Sequence, residues 1–344
     1  MIGVFQKKMS TLMISVNKFG FVLLFIILTS CLKKKHDTFV LSGYAQGTTY
    51  TIKYHTKNNI ISKKSVDSLL RVIDLSMSSY IPNSTISQIN NNIDIPLDSL
   101  IYYVLSNSIK ICYETNGMFD ITVSPIVSDW GFGPNKKRKD LNIIDNSLYD
   151  VGCDKITLEQ NKLIKNELTQ IDLNGIAQGY TVDYLSDFFR SNGIYDFMIE
   201  LGGEVVCSGD NLGNLWKIGV DAPNNVNKKF AYILKLSDIS LATSGSYRNF
   251  YYSDSIKISH TINPIKMLPV TNQLISATIL HDECMYADAY ATACMSFGLD
   301  SAKKFLKRKN IVGSLIFVEG DDTLYYFSEG FSSCLQNSSG SAPQ

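Results

Sequence analysis

Two oxygen-bearing side chains stand four residues apart in a run of small residues towards the end of the sequence. Asp288 and Thr292 belong to the run ADAYATACM, which favours a helix. A spacing of four places both side chains on one face, one turn apart. A carboxylate and a hydroxyl held in this way are hard oxygen ligands of the kind that Mg²⁺ accepts. The alternative is structural, with Asp288 capping the helix and Thr292 bonding back to a carbonyl.

A second candidate site lies where a β-prone approach, residues 169–171, meets an amphipathic run. Asp172 ends the approach, and Asn174 and Gly175 interrupt it. The pattern predicts a strand-to-helix turn with an acid at its edge. Backbone N–H groups at a helix N-terminus suit a phosphate, whereas the carboxylate suits a metal ion or the donor edge of a ring. Because such turns are common in α/β chains, this turn alone does not identify a function.

One of the four histidines, His260, stands among these candidate segments, between a predicted strand and a proline turn. An imidazole with an ordinary pKa of about 6.5 can take a proton from a hydroxyl nucleophile at neutral pH. Since a lone histidine is most often structural, both roles remain open at this point.

Five short motifs that contain or flank these residues occur in a fixed order. They are IDLNGIAQGY at 171–180, ELGGE at 200–204, ATSGSYRN at 242–249, SHTINP at 259–264 and ADAYAT at 287–292. In this order they resemble the FAD:protein FMN transferases, which are magnesium-dependent periplasmic lipoproteins formerly described as thiamine-biosynthesis proteins. The resemblance extends from about residue 43 to about residue 298.

The resemblance implies roles for individual residues. Mg²⁺ would be held by the side chains of Asp288 and Thr292 and by the backbone at Gly175 and Ala291, and His260 would be the catalytic base. The flavin nucleotide would be contacted by Gln46, Tyr80, Met118, Phe119, Asp120, Asp172 and Ile262. Gln46 stands where the family commonly has a methionine, so only a polar or backbone contact is expected from it.

The implied reaction is transfer of the FMN moiety of FAD to a threonine or serine hydroxyl of an acceptor protein, with AMP as the leaving group. Arg248 is a further candidate for a phosphate contact. The acceptor is expected to be a subunit of a membrane redox complex. Two alternatives stay open: an FAD pyrophosphatase that uses water as the nucleophile, and a lipoprotein that binds flavin without catalysis. A G-x-x-x-x-G-K-[ST] loop is absent from the sequence, which disfavours an ordinary nucleotide kinase.

The N-terminal residues predict export. Lysines precede an apolar run at 19–28, and the sequence Leu28-Thr29-Ser30-Cys31 follows. Ten residues span about 15 Å as a helix, about half of a bilayer core. We therefore expect a lipoprotein signal peptide at 1–30 and a lipid on Cys31, which would anchor the protein to a membrane of a bacterial cell envelope, facing the periplasm. The whole chain of 344 residues has a formal net charge of zero, so a nucleic-acid partner is not expected.

Six cysteines remain after Cys31, and none forms a C-x-x-C pair. A zinc site is therefore not expected, and the sequence does not choose among the possible disulfides.

The order of predicted helices and strands around these residues indicates an α+β fold. We expect a single large domain with largely antiparallel sheets and interspersed helices. Helices are expected from the stripe that starts at Val66, after a cap at Asp98, after the turn at Gly175 and around Asp288. Strands are expected in most of the remaining apolar segments, including a first pair broken at Gly43 and Gly47. The domains would be a tether at 31–38, the flavin transferase domain at 39–330 and a polar tail at 331–344.

Overall fold

A computed structural model describes residues 37–133, 149–223, 229–247, 249–253 and 256–336. The signal peptide, Cys31, Arg248 and most of the tether and tail lie outside the described residues. From Thr38 onward, the described residues belong to one compact unit.

The fold is α+β, as predicted, and an eight-stranded sheet runs through it. In sheet order its strands are β1 (Asp37–Ala45), β2 (Thr48–Thr56), β5 (Asp196–Leu201), β6 (Glu204–Ser208), β9 (Ile239–Gly245), β14 (Leu274–His281), β15 (Val312–Glu319) and β16 (Asp322–Phe327). Each neighbouring pair from β2 to β16 is antiparallel.

Within the described residues, four small two-stranded sheets accompany the large one. They are β3 (Thr157–Glu159) with β4 (Lys162–Ile164), β7 (Trp216–Asp221) with β8 (Phe230–Leu236), β10 (Phe250–Ser253) with β11 (Ile256–Ser259), and β12 (Ile262–Asn263) with β13 (Leu268–Pro269). The β7–β8 pair covers one face of the large sheet, where its apolar side chains form a common cluster with Val205, Leu241 and Ile316.

Seven α-helices occur in the described part of the chain. They are α1 (Lys63–Met77), α2 (Thr85–Asn90), α3 (Ser99–Glu114), α4 (Ser124–Asp129), α5 (Ala177–Ser191), α6 (Cys284–Phe297) and α7 (Leu299–Lys309). The predicted cap of α3 is confirmed, because Asp98 Oδ1 accepts the N–H groups of Leu100 at 2.9 Å and Ile101 at 3.0 Å.

Helix α6 is the centre of the core. Its alanines at 287, 289, 291 and 293 are fully buried, because the helix packs against β9 and β14 on one side and α5 on another. Alanine permits this close approach while favouring the helix. On α5, Gly179 has the same effect, since a side chain there would come within 2.5 Å of the Cys284 carbonyl oxygen.

Two local expectations were wrong. Gly43 does not break the first strand but lies inside β1, where its missing side chain leaves room for the ring of Tyr50. The approach to Asp172 is not a regular strand, since Gln170 makes only an isolated parallel bridge with Val123. The approach to Asp172 has a β-prone composition, but a strand also needs a neighbour along its whole length.

The sequence did not predict the disulfide or the structure of the last described residues. A disulfide joins Cys112 at the end of α3 to Cys153. Phe331–Cys334 forms a 3-10 helix with Phe331 fully buried. Phe331 and the partly buried Cys334, assigned above to the polar tail, therefore pack against the domain.

Candidate active site

The turn at 171–175 is held from two sides by hydrogen bonds to its backbone. Asn90 clamps Ile171, accepting its N–H at 2.7 Å and donating from Nδ2 to its carbonyl at 2.8 Å. The N–H of Asp172 donates to the Ile121 carbonyl at 2.7 Å. The Asp172 carboxylate in turn accepts the N–H of Asn174 at 2.8 Å. The acid is thus fixed at the edge of the turn, as the sequence predicted.

Helix α5 begins directly after this turn and is capped by a side chain from another helix. Its N-cap residue is Ile176, whose apolar side chain cannot accept a backbone N–H. Instead, Asp288 Oδ2 on α6 accepts the N–H of Gly179 at 3.2 Å. The first turn of α6 is capped reciprocally, because Asp183 on α5 accepts the N–H groups of Cys284 and Met285, each at 2.8 Å. Asp183, and not Asp288, therefore caps α6.

Asp288 is a buried carboxylate to which no described residue supplies a countercharge. Its side chain is almost fully buried, and no lysine, arginine or histidine of the described residues forms an ion pair with it. Burial raises the pKa of Asp288, and the nearby charge of Asp183 raises it further. Such a carboxylate would be stabilised by a cation.

Thr292 and Gly175 lie against each other beside this carboxylate. A side chain added at Gly175 would come within 3.0 Å of Thr292 Oγ1 and 3.4 Å of the Phe119 ring. The Thr292 hydroxyl also lies 3.2 Å from the hydroxyl of Ser244 at the end of β9. The structure therefore brings together helix α6, which carries Asp288 and Thr292, and the backbone of the turn at Gly175. The Asp288 carboxylate, the Thr292 hydroxyl and the backbone carbonyl oxygens are hard oxygen ligands that fit a Mg²⁺ ion.

His260 is half-buried and its ring orientation is fixed by a backbone carbonyl. The oxygen of Asn249 lies 3.0 Å from His260 Nδ1 and also accepts the His260 N–H at 3.1 Å. Because a carbonyl can only accept, Nδ1 carries the ring proton and Nε2 is the basic nitrogen. Burial lowers the pKa of His260, and the hydrogen bond to the Asn249 carbonyl and the charge of Asp172 partly oppose this effect. The net lowering favours the neutral imidazole at neutral pH.

Aromatic side chains border the histidine and the acid. The Phe132 ring lies 6.2 Å from the His260 ring, edge-on, and stacks on Tyr251 at 5.4 Å. Partial burial raises the pKa of the Tyr80 phenol and the nearby charge of Asp172 raises it further, although 57% of Tyr80 is exposed. Burial likewise raises the pKa of Asp172. These faces and edges could hold a planar ring.

The remaining candidate flavin contacts fall into two groups. Met118 and Ile262 join the site through Asn263, whose Nδ2 donates to the Ser296 carbonyl at 3.1 Å and lies 3.8 Å from Met118 Sδ. Ile262 belongs to a buried cluster with Trp130. Phe119 is placed beside Gly175, as described above.

Gln46 and Asp120 are directed elsewhere. Asp120 is buried, and its carboxylate accepts the N–H of Thr122 at 2.8 Å and its hydroxyl at 2.6 Å. Gln46, at the β1–β2 turn, donates to Thr181 Oγ1 on α5 at 2.9 Å. Their side chains support the loop and the helix that flank the site.

Four residues that support the candidate site carry little or no signal in the sequence. Asn90, Asp183, Gly179 and Ser244 all contact a predicted site residue or its helix through bonds that span 48 or more positions. Gly179 and Ser244 stand inside two of the quoted motifs, and that position was the only available signal. Asn90 carried none.

Known proteins of one family are similar to this chain in sequence and fold. A sequence profile of the ApbE family matches residues 46–316. The FAD:protein FMN transferase of Vibrio cholerae is 32% identical over 320 residues, covering 89% of this chain and 95% of that protein. The Haemophilus influenzae protein of the same name is 30% identical over 309 residues, covering 84% and 89%. The structure of the flavin transferase ApbE from Vibrio cholerae superposes with a TM-score of 0.77 at 31% identity, covering 88% of this chain and all of that one.

Proposed function

The chain belongs to the ApbE family, and on that premise we propose that it is an FAD:protein FMN transferase. It transfers the FMN moiety of FAD to a threonine or serine hydroxyl of an acceptor protein and releases AMP, in a Mg²⁺-dependent reaction. The proposal rests mainly on the geometry of His260. Its Nδ1 lies 3.0 Å from the Asn249 carbonyl oxygen, so that Nε2 is the nitrogen that can accept a proton.

His260 acts as the general base of this reaction. Its Nε2 takes the proton of the acceptor hydroxyl while that oxygen forms a bond to the FMN-side phosphorus of FAD. The bond between this phosphorus and the bridging oxygen breaks, and AMP leaves with that oxygen. The lowered pKa of His260 keeps the imidazole in its neutral, basic form at neutral pH.

Asp288, Thr292 and the backbone at Gly175 and Ala291 would hold the Mg²⁺ ion. The uncompensated charge of Asp288 and the closeness of Thr292 to Gly175 support this assignment. When bound, the ion supplies positive charge that polarises the pyrophosphate and stabilises the leaving phosphate.

The flavin nucleotide is held by the groups that border the turn. Asp172 accepts hydrogen bonds from the donor edge of the ring, and Tyr80, Met118, Phe119 and Ile262 cover it. Gln46 and Asp120 contribute through the backbone of their loops, because their side chains are engaged within the protein. Such phosphoryl transfer depends mainly on positioning and charge neutralisation.

Export and lipid attachment complete the proposal. No helix among the described residues is long and apolar enough to cross a membrane. The apolar run before Leu28-Thr29-Ser30-Cys31 supports cleavage before Cys31 and lipidation of that residue. The domain would then act at a periplasmic membrane surface, on an acceptor that belongs to a membrane redox complex.

The test is incubation of the purified protein with FAD, Mg²⁺ and an acceptor domain, followed by mass spectrometry of the acceptor and quantification of AMP. Transfer predicts an acceptor heavier by one FMN moiety and an equal amount of AMP. AMP and free FMN without a modified acceptor would instead identify an FAD pyrophosphatase. Absence of AMP from an FAD-binding protein would identify a flavin carrier.

A further inference from the structure

Three loops gather at the end of the large sheet where the N-terminal chain enters. We call this the tether end, and it is marked by Thr38, His55, Asp196 and Ser208. Thr38 Oγ1 lies 3.0 Å from His55 Nδ1, and the strand registers pair His55 with Asp196 and Phe197 with Ser208. The loops are residues 57–61, 192–195 and 209–215.

Hydrogen bonds join the three loops into one surface. Asn59 Nδ2 donates to the Asn192 carbonyl at 2.6 Å. Asn211 Oδ1 lies 3.0 Å from His55 Nε2, and the N–H of Asp210 donates to Asp196 Oδ1 at 3.1 Å. The loops are therefore fixed relative to one another and to the first strand.

Each loop exposes a large apolar side chain. Ile60 is 70% exposed, Tyr195 is 62% exposed and Leu212 is 58% exposed. Transfer of isoleucine and leucine side chains out of water is favourable, and tyrosine favours the boundary between headgroups and acyl chains. A patch of this composition suits insertion into the interface of a bilayer.

The length of the preceding chain brings this end to a membrane. Cys31 precedes Asp37 by six residues, which reach at most about 20 Å when extended. Lys33, Lys34 and Lys35 lie within this stretch and would be attracted to anionic headgroups. A lipid on Cys31 would therefore hold the tether end within reach of the bilayer surface.

We propose that Ile60, Tyr195 and Leu212 form a membrane-contact surface that fixes the orientation of the domain on the bilayer. This inference rests on the lipid attachment included in the proposed function. It has a geometric consequence, because the candidate active site lies at the opposite end of the sheet, where Ser244 of β9 meets Thr292. Strand β1 has nine residues and so spans about 30 Å. The site would stand about that far above the membrane, open to an acceptor domain in the periplasm.

The test uses the full-length lipoprotein in vesicles of phosphatidylcholine and phosphatidylglycerol, with and without bromine on the acyl chains. Ile60→Trp and Leu212→Trp report insertion, because bromine quenches nearby indole fluorescence. Tyr44→Trp is the matched control, since Tyr44 is 72% exposed but lies at the other end of β1. The signal of the parent protein, from the buried Trp130 and Trp216, is subtracted.

The proposal predicts that brominated lipids remove most of the fluorescence introduced at 60 and 212 and leave that at 44 unchanged. Vesicle-bound protein without quenching at 60 and 212, or with equal quenching at 44, would overturn it. Protein that does not float with the vesicles would overturn both this surface and the lipid anchor. Flavin transfer, measured on the same samples in detergent, tests the catalytic proposal separately.

Discussion

Adding one methyl group at Gly175 is the most specific perturbation of the candidate metal site. In Gly175→Ala, the new Cβ would lie 3.0 Å from Thr292 Oγ1 and 3.2 Å from its Cγ2. The backbone at Gly175 lies outside the left-handed region, so alanine brings no conformational strain of its own. The turn or the Thr292 side chain must move by a few tenths of an ångström. Overpacking of this kind costs about 1–3 kcal/mol.

If Gly175 and Thr292 line the Mg²⁺ site, the free-energy cost of this overpacking weakens metal binding. A loss of about 1–3 kcal/mol corresponds to about fivefold to about 140-fold weaker binding. The assay is a Mg²⁺ titration of the transfer rate, with FAD binding measured in parallel by flavin fluorescence. We expect the Mg²⁺ midpoint to rise by that factor while FAD affinity in the absence of metal changes little.

Gly313→Ala is the matched control. Its Cβ would be similarly crowded, 2.8 Å from Ile279 Cδ1 and 3.0 Å from the Thr278 carbonyl oxygen, but it lies in β15, away from the site. This variant should lose stability without a change in Mg²⁺ dependence. A folded Gly175→Ala protein with a wild-type Mg²⁺ midpoint would refute the assignment of Gly175 and Thr292 to the metal site.

Two further predictions follow from the charges and the disulfide. Asp288→Asn should lower transfer by about 10²-fold or more, because several kcal/mol of metal-dependent stabilisation is lost. Since burial raises the folded-state pKa of Asp288, its charge destabilises the metal-free fold as pH rises above the unfolded pKa of about 3.9. The Asp288→Asn variant should therefore have a higher melting temperature at pH 7 and should not be stabilised by Mg²⁺. A variant that Mg²⁺ stabilises as much as the wild type would contradict this. The Cys112→Ser/Cys153→Ser protein should lose about 2–4 kcal/mol of unfolding free energy, and thiol reductant should shift the wild-type denaturation midpoint but not that of the variant; equal midpoints without reductant would show that the bridge does not form.

The sequence predicted the local elements well where pattern and capping agreed. The stripe from Val66 and the cap at Asp98 each required only neighbouring residues, and both helices occur in the structure. The break at Gly43 was wrong because glycine can also stand inside a strand, and here its missing side chain leaves room for the ring of Tyr50 on the neighbouring strand β2. Composition alone does not distinguish a glycine that ends a strand from one that makes room for a ring across the hairpin.

The site was predicted in its parts but not in its connections. Asp172 and the spacing of Asp288 and Thr292 were informative in themselves. The reciprocal caps between α5 and α6 could not be predicted, because the partners Gly179 and Asp288, and Asp183 and Cys284, are more than 100 positions apart. The clamp of Asn90 on Ile171 joins segments 81 positions apart, and only folding brings them together. The roles of Gln46 and Asp120 were carried over from the family, and in this chain their side chains bond within the protein.

One paired measurement decides whether His260 is the base. FAD affinity and transfer rate should be measured on the same samples of wild type, His260→Ala and His281→Ala across pH. His281 is the matched control because burial also lowers its pKa, while it ends β14 at the tether end of the sheet.

We expect His260→Ala to lower transfer by about 10²- to 10⁴-fold with little change in FAD affinity, and His281→Ala to transfer normally. Because burial lowers the pKa of His260 below its ordinary value of 6.5, the wild-type rate should hold as pH falls through 6.5 and decline only at more acidic pH. That acid limb should be missing in His260→Ala. A parallel loss of affinity and rate, or an unchanged rate, would contradict the assignment of His260 as the base.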